Sequence, residues 1–500
     1  MSNSLSYTLK NVFNLDSFRP GQEDAIRSIL QGQDVFVNAP TGFGKSLTYL
    51  LPSLLKPGLC FCVFPLVSLL NDQRSKLKTL QIPYGILAPS LDPEQSSLTS
   101  QLLNNMEHVN LKVVLTTPES ITLKKNLSLL ESLYSRNLVS FFTIDECHLV
   151  CEWNSFRSAF NKLNILRSKF PSTPLLALTA TASKEVKKHV FSKLKLKSST
   201  VTVTVAPDRP NIKYSVLFKE LQSNPLFALQ NLVKSFFDQY KHKRGIVFVH
   251  KRSTCEELSQ QLKTNEINTF VYHAGLEMLE RNKIQTEFGQ TINSVICCTI
   301  SFGLGVDVNA DFVIHYQPPH NINQFYQESG RCGRDGSQSE SVVFYDREDL
   351  TRYKNIFALE GRQKHQSNAK SVLSSSQSTF QEDYEEKMTG LEDIMLYCEA
   401  RRCKRAVLLK HFAATVNPER DRTRCCDYCE NPKKINIQLS NLEMRQVNSS
   451  GLHTSEVKRP QKSNQSKTQL PSLMSASQFK QTQSLKRKSS GFKLLKNPRS

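Results

Sequence analysis

The stretch "DVFVNAPTGFGKSLTYLLPSLL", residues 34–55, carries the reading from which the fold follows. "DVFVNA" suits a short buried strand, "PTGFGKS" is a glycine-bearing turn, and "LTYLLPSLL" opens a helix. Strand, glycine loop, Lys-Ser and helix form the context in which backbone N–H groups and a helix N-terminus cradle phosphate. Thr41, Gly42 and Gly44 shape the loop, Lys45 would reach the β/γ-phosphates, and Ser46 would bind Mg²⁺. Ala39 stands where the general pattern has its first glycine, and alanine is small enough for that turn.

Around this unit, from residue 30 to about 350, β-rich runs alternate with helical stretches. "KVVLTT", "FFTIDE" and "LLALTAT" precede "RGIVFVH", "NTFVYHA", "SVICCTI", "FVIHYQ" and "SVVFYD". Such alternation argues for parallel sheets in an α/β architecture. A break near "VAPDRPNIKYSV" divides the chain into units 1–205 and 206–350. "KHQSNAKSVLSSSQSTFQ" reads as a flexible connection within a helical, cysteine-bearing unit, 351–432. After "CENPKK" Ser, Gln, Asn and Lys dominate, so 433–500 reads as a disordered basic tail.

Composition narrows the partners. Of the net +20, the tail holds 14 Lys/Arg against 2 Glu, hence +12, and +8 remains for residues 1–432. A basic body with a more basic tail points to a polyanion, nucleic acid before membrane, although charge alone does not separate this from a solvated surface. No uninterrupted apolar run is long enough to cross a bilayer, and no basic–apolar–small signal opens the chain. The 13 cysteines are odd in number and mostly lie in apolar runs such as "LCFCVF", which reads as reduced, buried thiols.

Two further motifs suit a phosphate site. In "FFTIDECH", Asp145 and Glu146 end a buried strand, where ligands of parallel sheets bind. Adjacent buried acids are expensive unless a cation holds them: Asp145 would carry Mg²⁺ and Glu146 would activate the attacking water. In "YQESGRCGRDG", Arg331 and Arg334 are three apart, so on a helix both would face one anion.

The ordered set resembles the RecQ family of superfamily 2 helicases. It comprises Phe18, Arg19 and Gln22 of "FRPGQ", then "APTGFGKS", "FPLVSLLNDQ", "TTPES", "DECH", "ALTATAS", "DRPN", "YHAGL", "TISFGLGVD" and "QESGRCGRDG". The resemblance runs from about residue 10 to 432. It implies two tandem RecA-like parallel-sheet domains, a small helical zinc-binding segment and a disordered basic tail. It also implies ATP-driven 3′→5′ translocation on single-stranded or partly duplex DNA, nuclear location, a role in repair or recombination, and a monomer or weak oligomer.

Carried over by position, Arg19 and Gln22 would read adenine, His148 would link the ATP site to DNA, and Thr179 and Thr181 would relay between domains. Asp307 would lie at the cleft, Arg334 would be the arginine finger, and Arg331 would sit beside it on the phosphates. Leu15 replaces an aromatic that many relatives stack on adenine. The loop "CEWNSFR" keeps Trp153, Phe156 and Arg157, but it is one residue shorter than the family's version and has Glu152 in place of glutamine. Its aromatic and arginine suit DNA contact, with stacking worth about 1–3 kcal/mol per base. Packing of a helix against the first domain is the other reading. Two rivals to the motor remain: an RNA-directed ATPase of the same superfamily, and a DNA-binding or annealing protein with weak unwinding.

The resemblance also implies four zinc ligands. Cys403, Cys426 and Cys429 match it, whereas Thr423 occupies the fourth spacing. Cys425, adjacent to Cys426, is the expected fourth ligand, with Cys398 and His411 as substitutes.

Overall fold

Continuous apolar runs, each followed by a turn and a helix, become the strands of two parallel sheets. The computed structural model describes residues 2–105, 110–152, 158–180, 182–240, 243–303, 308–368, 376–416, 421 and 423–451. The first sheet contains β1 (Val35–Asn38), β2 (Leu59–Val63), β3 (Tyr84–Leu87), β4 (Val113–Thr116), β5 (Val139–Ile144), β6 (Leu175–Thr179) and β7 (Val201–Thr204). Their order is β3-β4-β2-β5-β6-β1-β7. The second sheet contains β8 (Ile212–Phe218), β9 (Arg244–Phe248), β10 (Asn268–Tyr272), β11 (Ser294–Cys298), β12 (Phe312–His315) and β13 (Ser339–Tyr345), ordered β10-β11-β9-β12-β13-β8.

Both faces of each sheet are covered, as parallel strands require. In the first, Phe36, Phe61, Phe142 and Ala177 belong to one core, while their neighbours Val37, Cys62, Phe141 and Leu178 belong to the core on the opposite face. The period of two along each strand makes this division. Adjacency of β5, β6 and β1 brings three loop starts to one edge. Val63 O accepts from Asp145 N at 3.0 Å, Leu178 O from Cys147 N at 2.8 Å, and Thr179 O from Ala39 N at 3.0 Å.

The cysteine-bearing segment does not form a core of its own. Leu391, Ile394, Tyr397, Leu408, Cys425 and Cys426 share one core with Tyr214, Phe325 and Val343 of the second sheet's unit. The segment also covers the free edge of β8. Tyr214 bridges to Cys426, and Val216 N donates to the Asp427 carboxylate at 2.8 Å. The disordered tail expected from 433 is corrected at its start, because a helix spans Pro432–Gly451. Ile435, Leu439 and Leu442 supply the apolar face that composition obscured, and they join the same core. From 452 onward that expectation lies outside the described residues.

Candidate functional site

The phosphate loop follows β1 and leads into the helix Leu47–Leu55. Gly42 and Gly44 have φ of 79° and 86°, a left-handed conformation that glycine adopts without Cβ strain. Lys45 Nζ donates to Ala39 O at 3.1 Å, and Thr48 Oγ1 donates to Lys45 O at 2.6 Å. Gln22 and Arg19 grip the loop itself: Gln22 Nε2 donates to Phe43 O at 2.9 Å, and Arg19 Nη1 donates to Gly42 O. The Gln22 side-chain oxygen accepts from Arg19 N at 2.9 Å, so the two residues share one network beside the loop.

Asp145 and Glu146 lie beyond the end of β5, facing the same loop. Burial, reinforced by the Glu146 charge, pushes the Asp145 carboxyl up to about 7, against a smaller downward pull from Lys45. An acid held near neutrality by burial is poised to exchange its proton for a cation. Glu146 has φ 47°, a strained conformation for a side chain of its size, and its Oε2 is buried without a hydrogen bond. Oε2 lies 3.4 Å from His148 Nδ1, which also lies 2.9 Å from Thr179 Oγ1. His148 Nε2 is 3.2 Å from Gln327 Nε2. His148 therefore bridges Glu146 and Thr179 on one side and Gln327 on the other. The histidine thus ties β5 and β6 to the helix Ile322–Ser329 of the second unit.

The helical placement of Arg331 and Arg334 is corrected. The helix stops at Ser329 with Gly330 as its C-cap, Cys332 bridges to Ala310, and Gly333 takes φ 61°. Both arginines therefore sit on a turn, yet they still face one cleft. Burial, with the neighbouring Arg334 charge, lowers the Arg331 pKa to about 10, still fully cationic at neutral pH. The cleft encloses about 830 Å³ and is lined by Lys45, Ser46, Asp145, Glu146, Arg331 and Arg334 among others. Two like charges held together opposite a phosphate loop favour a polyanionic ligand. Thr41 Oγ1 donates to Gly330 O at 3.3 Å, and a Cβ at Gly330 would collide with Thr41, so the two loops touch directly.

The four sulfurs of Cys403, Cys425, Cys426 and Cys429 lie within 4.8 Å of one another and could hold a metal ion. Cys403 Sγ is 3.5 Å from Cys425 Sγ and 3.9 Å from Cys426 Sγ. A tetrahedral zinc site with bonds of about 2.3 Å has sulfur–sulfur edges of roughly 3.8 Å, so the thiols fit such an ion. Contacts from the Cys403 and Cys425 thiols, with N–H donation from Cys429 and Lys404, hold the Cys426 pKa far below its usual value. Adjacent Cys425 and Cys426 both reach the cluster because Cys426 is extended, with φ −164° and ψ 168°, at the cap of Asp427–Glu430. Cys398 and His411 are not members. Cys398 is buried and its carbonyl accepts from Lys404 Nζ at 2.6 Å, while His411 lies 3.6 Å from Asp393.

Among the cleft residues that sequence reasoning missed are Gln327 and Lys76. Gln327 lies inside "QESGR", so its position beside the arginines was a usable signal. Lys76 donates to Ser46 Oγ at 2.6 Å from a helix that gives no such signal. Trp153, Phe156, Arg157, Thr181 and Asp307 lie outside the described residues.

Comparison with known proteins gives this geometry a lineage. A DEAD/DEAH box helicase model matches residues 19–189, and a helicase conserved C-terminal domain model matches 227–336. The chain is 34% identical over 452 residues to ATP-dependent DNA helicase Q5 of Mus musculus, covering 87% of this chain and 44% of that protein. It is 34% identical over 430 residues to ATP-dependent DNA helicase RecQ of Haemophilus influenzae, covering 85% of this chain and 63% of that one. The chain thus spans less than two thirds of either relative. Among solved structures, the Mycobacterium smegmatis helicase Lhr bound to ssDNA and AMP-PNP has a TM-score of 0.51 at 20% identity, covering 77% of this chain and 56% of that one, a likeness of fold. Motif order and the two matched models agree with these relatives: the chain is similar, over most of its length, to helicases of the RecQ family.

Proposed function

We propose that this protein is an ATP-dependent 3′→5′ DNA helicase that translocates on single-stranded DNA and opens partly duplex DNA or recombination intermediates. One observation carries the proposal: a single cleft collects a phosphate loop and carboxylate pair from one sheet's unit and an arginine pair from the other's. A hydrolysis site split in this way closes with nucleotide bound and opens after hydrolysis, which is how two units can step along a strand.

The roles follow from chemistry. Lys45 binds the β/γ-phosphates, Ser46 and Asp145 hold Mg²⁺, and Glu146 orients and activates water. Arg334 neutralises charge developing on the transferred phosphoryl group, with Arg331 beside it on the phosphates. Thr41, Gly42 and Gly44 shape the loop, while Arg19 and Gln22, which grip it through Gly42 O and Phe43 O, read adenine. His148 and Thr179 pass the state of the carboxylates to Gln327. Thr181, Asp307 and the residues Trp153, Phe156 and Arg157 are assigned to DNA coupling or the cleft on family resemblance alone. The metal of the cysteine cluster is zinc, in a closed structural role. Units 1–205 and 206–350 are the moving halves, 351–432 travels with the second, and the protein acts in the nucleus as a monomer or weak oligomer.

The test is steady-state ATP hydrolysis with and without a single-stranded oligonucleotide at one stated salt concentration, followed by duplex unwinding. Strong stimulation by DNA, with unwinding of a duplex bearing a 3′ single-stranded extension, is the expected result. Equal hydrolysis with and without DNA, despite measured DNA binding, would replace the motor by a binding or annealing protein. Stimulation by RNA alone would redirect it to RNA.

A further inference from the structure

We propose that Arg209 is a positioning residue for nucleotide hydrolysis, clamping the phosphate loop of one unit to the arginine turn of the other. The proposal rests on the reading of the cleft as an ATPase site. Arg209 belongs to the "DRPN" segment joining the two sheets and is 9% exposed. Its Nη1 donates to Thr41 O at 3.0 Å and to Gly330 O at 3.3 Å. Its Nη2 donates to Cys332 O at 3.1 Å and to Gly333 O at 2.8 Å. One planar cation therefore satisfies four carbonyls from two segments that are remote in sequence.

The identity of those carbonyls gives the clamp its consequence. Thr41 precedes Gly42 of the phosphate loop, Gly330 and Cys332 flank Arg331, and Gly333 precedes Arg334. Arg209 thus fixes the backbone on both sides of the arginine pair and ties it to the loop that would carry the phosphates. Asn211 reinforces the turn by donating to Gly333 O at 2.8 Å and Ser337 O at 2.7 Å. Transition-state stabilisation depends steeply on such placement, since a shift of about 1 Å can cost about 10²-fold in rate. Lysine presents one ammonium and cannot span two pairs of carbonyls as a guanidinium fork does.

Arg209 is in turn held from behind. Arg405, fully buried, donates to the Asp208 carboxylate, to Arg209 O at 2.8 Å and to Ile212 O, and lies over the Tyr214 ring at 4.8 Å. Arg405 is two residues beyond Cys403, on the first turn of the helix Lys404–His411. Two successive arginines therefore connect the cysteine cluster to the nucleotide cleft.

The experiment compares wild type, R209K, R209A, R334A and the double variant R209K/R334A as full chains, by ATPase kinetics, fluorescent-nucleotide binding and circular dichroism melting. Expected is a fall in kcat of tenfold or more for R209K, with nucleotide Kd within about threefold of wild type. The double variant should be no slower than R334A alone, because both changes remove the same placement. A folded R209K or R209A with wild-type kcat overturns the proposal. So does additive loss in the double variant, since Arg209 would then act independently of the arginine pair. Failure of both substitutions to fold would make Arg209 a folding residue and equally overturn it. Wild type without ATPase activity would instead refute the functional reading itself.

Discussion

The nucleotide cleft and the cysteine cluster are built by opposite means. The cleft is assembled from loops at sheet edges, and its polar side chains rest on backbone carbonyls or on one another: Lys45 on Ala39, Gln22 on Phe43, and His148 between Thr179 and Gln327. Within the cleft, Glu146 combines a left-handed backbone with a buried carboxylate oxygen that has no hydrogen bond. The cysteine cluster sits against a hydrophobic core, its thiols receive backbone N–H donors, and its segment covers a sheet edge. Strained, partly satisfied groups are where function draws on stability, and satisfied buried ones hold a fold in place. On the proposed function the cleft changes state during turnover while the cluster stays as it is.

The sharpest way to break this contrast is Glu146→Gln. It leaves the fold's packing intact but removes the carboxylate proposed to activate water, so turnover should fall by about 10²–10⁴-fold. The melting temperature should stay level or rise, because a buried, incompletely paired charge is removed. ATPase rate and thermal melting on the same preparation decide it. A variant that loses stability in step with activity would show that Glu146 is part of the scaffold.

Cys426→Ser should produce the reverse pattern. The cluster stabilises one core continuous with the second sheet, so losing a ligand should lower the melting midpoint by roughly 5–10 °C and abolish stoichiometric zinc. Turnover measured well below that transition should fall less than tenfold. Metal content, melting and ATPase rate together test the claim. An unshifted midpoint with full zinc content would mean that Cys426 is dispensable to the site.

How far each region was legible in the sequence follows from the same contrast. The phosphate loop and "DECH" could be read because their chemistry is contiguous, with strand, turn and side chains in one short window. Arg331 and Arg334 were found, but on the wrong element, since Gly330 ends the helix and only the tertiary bridge from Cys332 to Ala310 fixes the turn. Arg209 stood out only as part of "DRPN", and its clamping contacts could not be read because the four acceptors lie 121–168 residues away along the chain. The cysteine segment's core was equally hidden. Leu391, Ile394 and Tyr397 look like an ordinary helix face until β8 and β13 supply the other half. Local chemistry is written locally, whereas long-range docking has no compact sequence signature.

A third prediction sharpens the contrast through pH. Asp145 has a pKa near 7 in the folded protein, above its ordinary 3.8. The folded state therefore favours the neutral acid, and this contribution to stability is full below about pH 4 and is lost as pH rises through about 7. Mg²⁺ must displace the proton, so its half-saturating concentration for hydrolysis should rise by up to about tenfold from pH 7 to pH 6. The melting gain from Mg²⁺ and ATP should correspondingly be larger at pH 8 than at pH 6. A Mg²⁺ requirement that is flat across this range would mean that Asp145 is ionised throughout.

Lys76→Ala probes the smallest effect and the least anticipated contact. Lys76 Nζ donates to the hydroxyl of Ser46 at 2.6 Å, and that oxygen is also a proposed Mg²⁺ ligand. An ammonium and a divalent cation cannot share one acceptor without mutual repulsion, so arrival of the metal requires Lys76 to withdraw. Its position on an exposed helix face makes that movement inexpensive, since exposed charges interact weakly through solvent. The substitution should therefore lower the half-saturating Mg²⁺ concentration by only about two- to threefold at low salt, with the difference shrinking as ionic strength rises. If Lys76 instead swings onto the phosphates once nucleotide binds, the same substitution raises the KM for ATP while the Mg²⁺ requirement holds. Parallel titrations of Mg²⁺ and ATP separate a competitor of the metal from a second lysine of the phosphate site.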